Sequence, residues 1–128
     1  MSENERDYIL YLEDILNAIN KIESYTKDLS FEDFSGNSMV IDAVIRNFEV
    51  IGEATNNIPP EIKGKYPDVE WKEATGFRNV LIHDYFGIDL ESVWDTVMNN
   101  VPSFKGHIEK VLLADHLTEK GENNRNNN

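Results

Sequence analysis

Residues 5–25 read Glu5-Arg6-Asp7-Tyr8-Ile9-Leu10-Tyr11-Leu12-Glu13-Asp14-Ile15-Leu16-Asn17-Ala18-Ile19-Asn20-Lys21-Ile22-Glu23-Ser24-Tyr25. Tyr8, Leu12, Ile15, Ile19 and Ile22 recur at alternating steps of four and three, which on an α-helix gathers them into one apolar stripe. Charged side chains fill the other faces, with Glu13 and Asp14 on a solvated surface. A helix with a single apolar stripe draws its stability from packing that stripe against another element. The rest of the chain has to supply the partners.

It supplies three. A second helix is predicted from an N-cap at Asn37 or Ser38 to about Asn57, burying Ile41, Val44, Phe48, Ile51 and Thr55. Pro59-Pro60 stops it, because proline lacks the amide donor and clashes with the preceding turn. A third is predicted from Val69 or Glu70 to His83 or Tyr85, with Asp68 as its cap and Trp71, Ala74, Phe77 or Arg78, Leu81 and Ile82 on its periodic face. A fourth begins after a cap at Asp89 and carries Leu90, Val93, Val97, Val101, Phe104, Ile108 and Val111 for six turns. Pro102 lies inside it and predicts a kink or a split.

The connections are short. Residues 27–37 read as a loop that Phe31 and Phe34 pin to the bundle. Glu61–Tyr66 reads as a short extra helix opened by Pro60, and Gly87 as a helix stop. The expected architecture is all-α: an antiparallel up-and-down four-helix bundle with a kinked last helix. Residues 1–118 form this domain, and the polar, low-complexity segment 119–128 is expected to be disordered.

Composition sets outer bounds. A chain of 128 residues is one domain. It has no Cys, so no disulfide framework or thiolate metal site, and a reducing compartment is expected. The polar first residues predict no signal peptide, and no apolar run is long enough to span a membrane. The expected location is the cytoplasm. The net charge of −12 argues against a general nucleic-acid coat. That charge is uneven: residues 1–60 hold 4 basic and 12 acidic groups, 84–128 hold 4 and 8, and only 61–83 is balanced, with 4 of each. RNA, if bound, is therefore expected at that segment or across a dimer cleft.

The balanced segment ends in Arg78-Asn79-Val80-Leu81-Ile82-His83-Asp84-Tyr85. Arg is a permanent cation suited to phosphate oxyanions. His trades protons near neutral pH. Together they are what metal-free phosphodiester transfer needs: a base for the attacking hydroxyl and a cation for the charge of the transition state. Positions five apart lie about 140° apart around a helix, so Arg78 and His83 do not stack, whereas Asn79 and His83 share a face. Three arrangements remain: a long Arg78 reaching round, a helix that loosens near His83, or a site completed by a second copy, for which the apolar Val80/Leu81 pair offers something to bury. On the second helix Asp42, Arg46, Glu49 and Glu53 also share a face. They form either an exposed ladder of ion pairs or a polar stripe that faces the motif helix. His107 and His116 read as surface or satisfied residues. No metal-ligand spacing and no Gly-rich phosphate loop occurs.

Arg46-Asn47-Phe48-Glu49-Val50-Ile51-Gly52-Glu53-Ala54, Pro59-Pro60, Tyr66-Pro67, Trp71 and Gly76-Phe77-Arg78, in that order, and the Arg-x4-His-x-Tyr pattern of residues 78–85 resemble the HepT-like toxins of the HEPN superfamily over roughly residues 5 to 112. The resemblance implies a metal-independent ribonuclease of a type VII toxin–antitoxin pair, acting on tRNA or mRNA without a cofactor. It implies that His83 is general acid/base, that Arg78 stabilises transition-state charge, and that Asn79, Arg46, Glu49 and Glu53 bind or orient. It also implies a homodimer, and an MntA-like nucleotidyltransferase antitoxin that transfers AMP to Tyr85. The alternative is a catalytically weak HEPN dimer serving as a binding module for such a nucleotidyltransferase.

Overall fold

In the computed structural model, which describes residues 3–83 and 89–126 and the side-chain surroundings of 8–77 and 89–115, the stripe on the first helix becomes one wall of the core. That helix, α1, spans Glu3–Thr26, and Leu12, Ile15, Ile19 and Ile22 are fully buried. Asp28 follows it with φ 63°, a left-handed conformation that Asp tolerates better than most residues and that turns the chain back. Residues 31–35 then depart from the expected loop. They form a short helix, α2 (Phe31–Ser35), opened by a capping box in which Ser30 and Asp33 exchange side-chain and backbone hydrogen bonds at 3.1 Å. The expected anchoring holds, because the Phe34 ring is buried 5.1 Å from that of Trp94 and the Phe31 ring lies 6.4 Å from it.

α3 (Ser38–Asn56) starts at the predicted cap, where Asn37 Oδ1 accepts from the Val40 N–H at 3.1 Å. α4 (Pro60–Lys65) opens on proline as expected. α5 spans Trp71–His83. Its cap position is Glu70, whose carbonyl accepts from the Ala74 N–H at 3.0 Å, and not Asp68. The reason is a turn over residues 66–71 that seats Trp71: the indole N–H donates to the Tyr66 carbonyl at 2.9 Å, and the Trp71 N–H donates to the Val69 carbonyl at 2.8 Å.

The long last helix is split as its proline predicts. α6 (Leu90–Asp95) is capped by Asp89, which accepts from the Glu91 and Ser92 amides, and the Ser92 hydroxyl and amide hold its carboxyl below the usual carboxylate range. A π turn over Thr96–Asn100 follows, then α7 (Val101–Asn126). The Val101 N–H donates five residues back to Thr96, so the ladder is already widened where Pro102 removes a donor. The backbone of α7 stays helical through Asn126, across the 118/119 position where the sequence predicts the ordered domain to end.

α3 packs between α1 and α5, and α1 also packs on α7. α1 and α7 run antiparallel, because Tyr8 meets Asp115 at one end while Glu23 meets Lys105 at 2.6 Å toward the other. Among the described residues there is no strand. The bundle is the all-α one expected, and no helix among the described residues is long and apolar enough to cross a membrane.

Among the described residues, one carboxylate sits inside this packing. Asp115 is 6% exposed and accepts from the hydroxyls of Tyr8 (2.7 Å) and Tyr66 (2.8 Å), tying α1, α7 and the α4–α5 turn together. Burial, then the hydrogen bond and charge of Asp115, push the Tyr66 phenol from 10.0 up to about 12. A phenol that holds its proton more tightly when folded stabilises the fold fully below pH 10. That contribution is lost as pH climbs from 10 toward about 12. Tyr66→Phe is expected to cost about 1–2 kcal/mol at neutral pH, since a buried carboxylate loses a donor. The gap to wild type should then narrow through the alkaline window, as read from urea midpoints on either side of pH 10.

Gly106 lies within α7, and a Cβ built there meets nothing within 4 Å. Gly106→Ala is therefore expected to stabilise the protein by about 1 kcal/mol. A rise in Tm of about 4 °C should follow in a thermal melt.

Candidate active site

The motif helix is held at its beginning and middle. Trp71 and Ala74 are buried, and the Phe77 ring meets that of Phe48 on α3 edge-on at 5.1 Å. The Thr75 hydroxyl donates to the Trp71 carbonyl at 3.0 Å. From α7, His107 Nδ1 approaches Glu70 Oε1 to 2.5 Å, and the Ser103 hydroxyl lies 3.4 Å from the same oxygen. Neither His107 Nδ1 nor Glu70 Oε2 has a hydrogen-bond partner, so this is a close contact and not a directed bond. His107 is thus partly buried against a carboxylate. No local pattern pairs it with Glu70, which lies on a different element.

The helix remains regular through His83, so it does not loosen ahead of that residue. Arg78 and His83 therefore stand about 140° apart around the axis, while Asn79 and His83 share one line. That line also contains Lys72 and Gly76, at steps of four, three and four, and it lies opposite the line of Ala74 and Phe77 that packs into the bundle. Tyr85 and the Gly87 stop lie outside the described residues.

On α3, Arg46, Glu49 and Glu53 line an open groove of about 470 Å³ with Tyr11 and Asp14 of α1. Arg46 and Glu49 are 3.8 Å apart with side chains 75% and 41% exposed, a surface pair one turn apart whose net contribution to stability is small. Three carboxylates against one guanidinium make this groove acidic, which suits a cation or a hydrogen-bond donor better than a phosphate. Its described lining comes from α1, α3 and Asn57, the C-cap of α3. Gly52 is buried within α3. No cluster of His, Cys, Asp and Glu that could hold a metal occurs among the described residues.

These features define a class: a small all-helical domain whose third long helix carries positions Asn79 and His83 on one line near its end, with position 78 about 140° round the axis from His83. The sequence profile of the family described as Ribonuclease HepT-like matches residues 15–111, three quarters of the chain. The chain belongs to that family. It is 45% identical over 107 residues to the probable ribonuclease HepT of Thermococcus cleftensis, covering 84% of this chain and 97% of that one. Two proteins of Methanocaldococcus jannaschii that are provisionally named RNases are each 44% identical over 108 residues, covering 84% of this chain and 93% and 99% of theirs. No solved structure matches the chain.

Proposed function

We propose that this protein is a metal-independent endoribonuclease and the toxin of a type VII toxin–antitoxin pair in the cytoplasm, cutting tRNA or mRNA. The observation that carries the reading is the register of α5, which sets Asn79 and His83 on one line opposite the helix's packed face, inside the matched family region. His83 takes the proton of the ribose 2′-OH as that oxygen attacks the adjacent phosphorus. The bond from phosphorus to O5′ breaks, and the leaving oxygen receives a proton. The products are a 2′,3′-cyclic phosphate and a 5′-OH. Arg78 stabilises the charge on the phosphorane oxygens, and Asn79 orients substrate or His83.

The 140° between Arg78 and His83 favours a homodimer in which two α5 helices line one cleft and each site draws on both copies. Arg46, Glu49 and Glu53 orient rather than touch phosphate, consistent with their acidic groove. The proposed antitoxin is an MntA-like nucleotidyltransferase that places AMP on Tyr85. Added bulk and negative charge two residues from His83 would block the Arg78 site and repel RNA.

The test incubates purified protein with total RNA in EDTA and records both the chemistry of the new ends and the mass of the Tyr85-containing peptide. Cyclic-phosphate ends from unmodified protein are expected, and loss of cleavage on adding EDTA would remove the metal-free reading. The net charge of −12 favours a second reading, a catalytically weak dimer that binds a nucleotidyltransferase. Unmodified protein that cuts neither tRNA nor mRNA would put that reading first.

A further inference from the structure

Four surface grooves among the described residues differ sharply in the charge of their walls. The one on α1 and α3 holds Asp14, Glu49 and Glu53 against Arg46, and a smaller one between α5 and the start of α7 holds Glu70 and Glu73. A third, beside the α4–α5 turn, mixes Lys63 and Lys72 with Asp68, Glu70 and Glu73. The fourth, of about 490 Å³, is lined by Lys63, Trp71, Lys72, Thr75 and Gly76, so its charged walls are wholly basic. In a protein of net charge −12, that is the exception. Acidic side chains are abundant, yet among the described residues neither Lys63 nor Lys72 is in an ion pair. A Cβ built on Gly76 meets nothing within 4 Å, so the floor is open to an approaching chain.

Position along α5 says what such a groove can hold. Lys72, Gly76, Asn79 and His83 occupy one line of the helix, and Lys72 lies about 16 Å before His83 along the axis. A polyanion laid along this line meets two unpaired ammonium groups a few nucleotides before it reaches the motif. We propose that the Lys63–Lys72 groove is a subsite for the sugar-phosphate backbone of single-stranded RNA, flanking the bond cut near the end of α5. The inference rests on the ribonuclease reading and adds where its substrate lies. Lys63 and Lys72 neutralise phosphates as mobile point charges and carry no base preference. An acidic protein could use the same lysines, but it would not require their alignment with Asn79 and His83.

The test separates binding from cleavage by using a fluorescein-labelled, fully 2′-O-methylated RNA, which lacks the attacking hydroxyl. Fluorescence anisotropy across a KCl series is recorded for the full chain, for Lys63→Ala/Lys72→Ala and for Lys63→Arg/Lys72→Arg, with circular dichroism melts of each. The alanine pair is expected to bind about tenfold more weakly near physiological salt, with the slope of log K against log salt smaller by about 1.4. The arginine pair should bind like wild type. An unchanged slope and affinity in the alanine pair, with an unchanged melt, would overturn the subsite. So would failure of wild type to bind, or a change in oligomeric state alone, which would assign the lysines to a protein contact. Cleavage of unmodified RNA of the same sequence is read in parallel. Wild type that binds with the predicted slope but cuts nothing would sink the ribonuclease reading while supporting the lysine groove as a surface for the RNA backbone.

Discussion

His83→Ala is expected to slow RNA cleavage by about 10²–10⁴-fold, the usual contribution of a positioned general acid or base. The melt should be little affected, because His83 lies on the line of α5 opposite its packed residues Ala74 and Phe77. Arg78→Ala should cost about 10²–10³-fold, the range for removing one group aimed at transition-state charge. Arg78→Lys should not restore the rate, since an ammonium cannot reproduce a bidentate fork on phosphate oxygens. Unchanged cleavage by His83→Ala would take this residue out of the mechanism.

The same two variants test whether the site is shared between copies. If Arg78 of one copy serves His83 of the other, mixing the two inactive variants rebuilds one intact site in each heterodimer and recovers about a quarter of wild-type activity. If each copy holds its own complete site, mixing recovers nothing. The regular helix between Arg78 and His83 favours recovery.

Phe48→Ala should have the largest effect on stability, about 3–5 kcal/mol, as expected for removing a buried aromatic ring and leaving a cavity. Phe48 is 2% exposed at the centre of α3, the helix packed between α1 and α5. Its ring is also the edge-on partner of Phe77, so the substitution removes an aromatic contact as well as buried area. Urea denaturation should show the loss as a lower midpoint. Phe77 lies one residue before Arg78, so cleavage should fall beyond the folded fraction even at a temperature where the variant is folded. Cleavage that tracks the folded fraction alone would show that the contact supports the bundle without positioning the motif.

The smaller elements show how far local reading reaches. The caps at Asn37 and Asp89, the stop at Pro59-Pro60 and the break near Pro102 follow from the chemistry of one or two residues, and each stands within a residue or two of its expected place. Residues 31–35 look like a loop when Phe31 and Phe34 are read as anchors alone. The capping box of Ser30 and Asp33 makes them helical, and that signal was present in the spacing. Asp68 was a reasonable cap by type, but the turn that seats Trp71 moves the helix start to follow Glu70. That shift depends on where the indole packs, which the local sequence does not state.

The sequence by itself determined four helical stripes, the stop at Pro59-Pro60 and a motif helix whose period puts Asn79 and His83 on one line, because helical periodicity is a local property. Tertiary structure alone decided that Asp115 would join Tyr8 from 107 residues away and Tyr66 from 49, that His107 would face Glu70, and that Lys63 of α4 would share a groove with Lys72 of α5. These contacts arise only when the stripes pack and bring distant side chains to one place, and their positions along the chain carry no common period that could announce them.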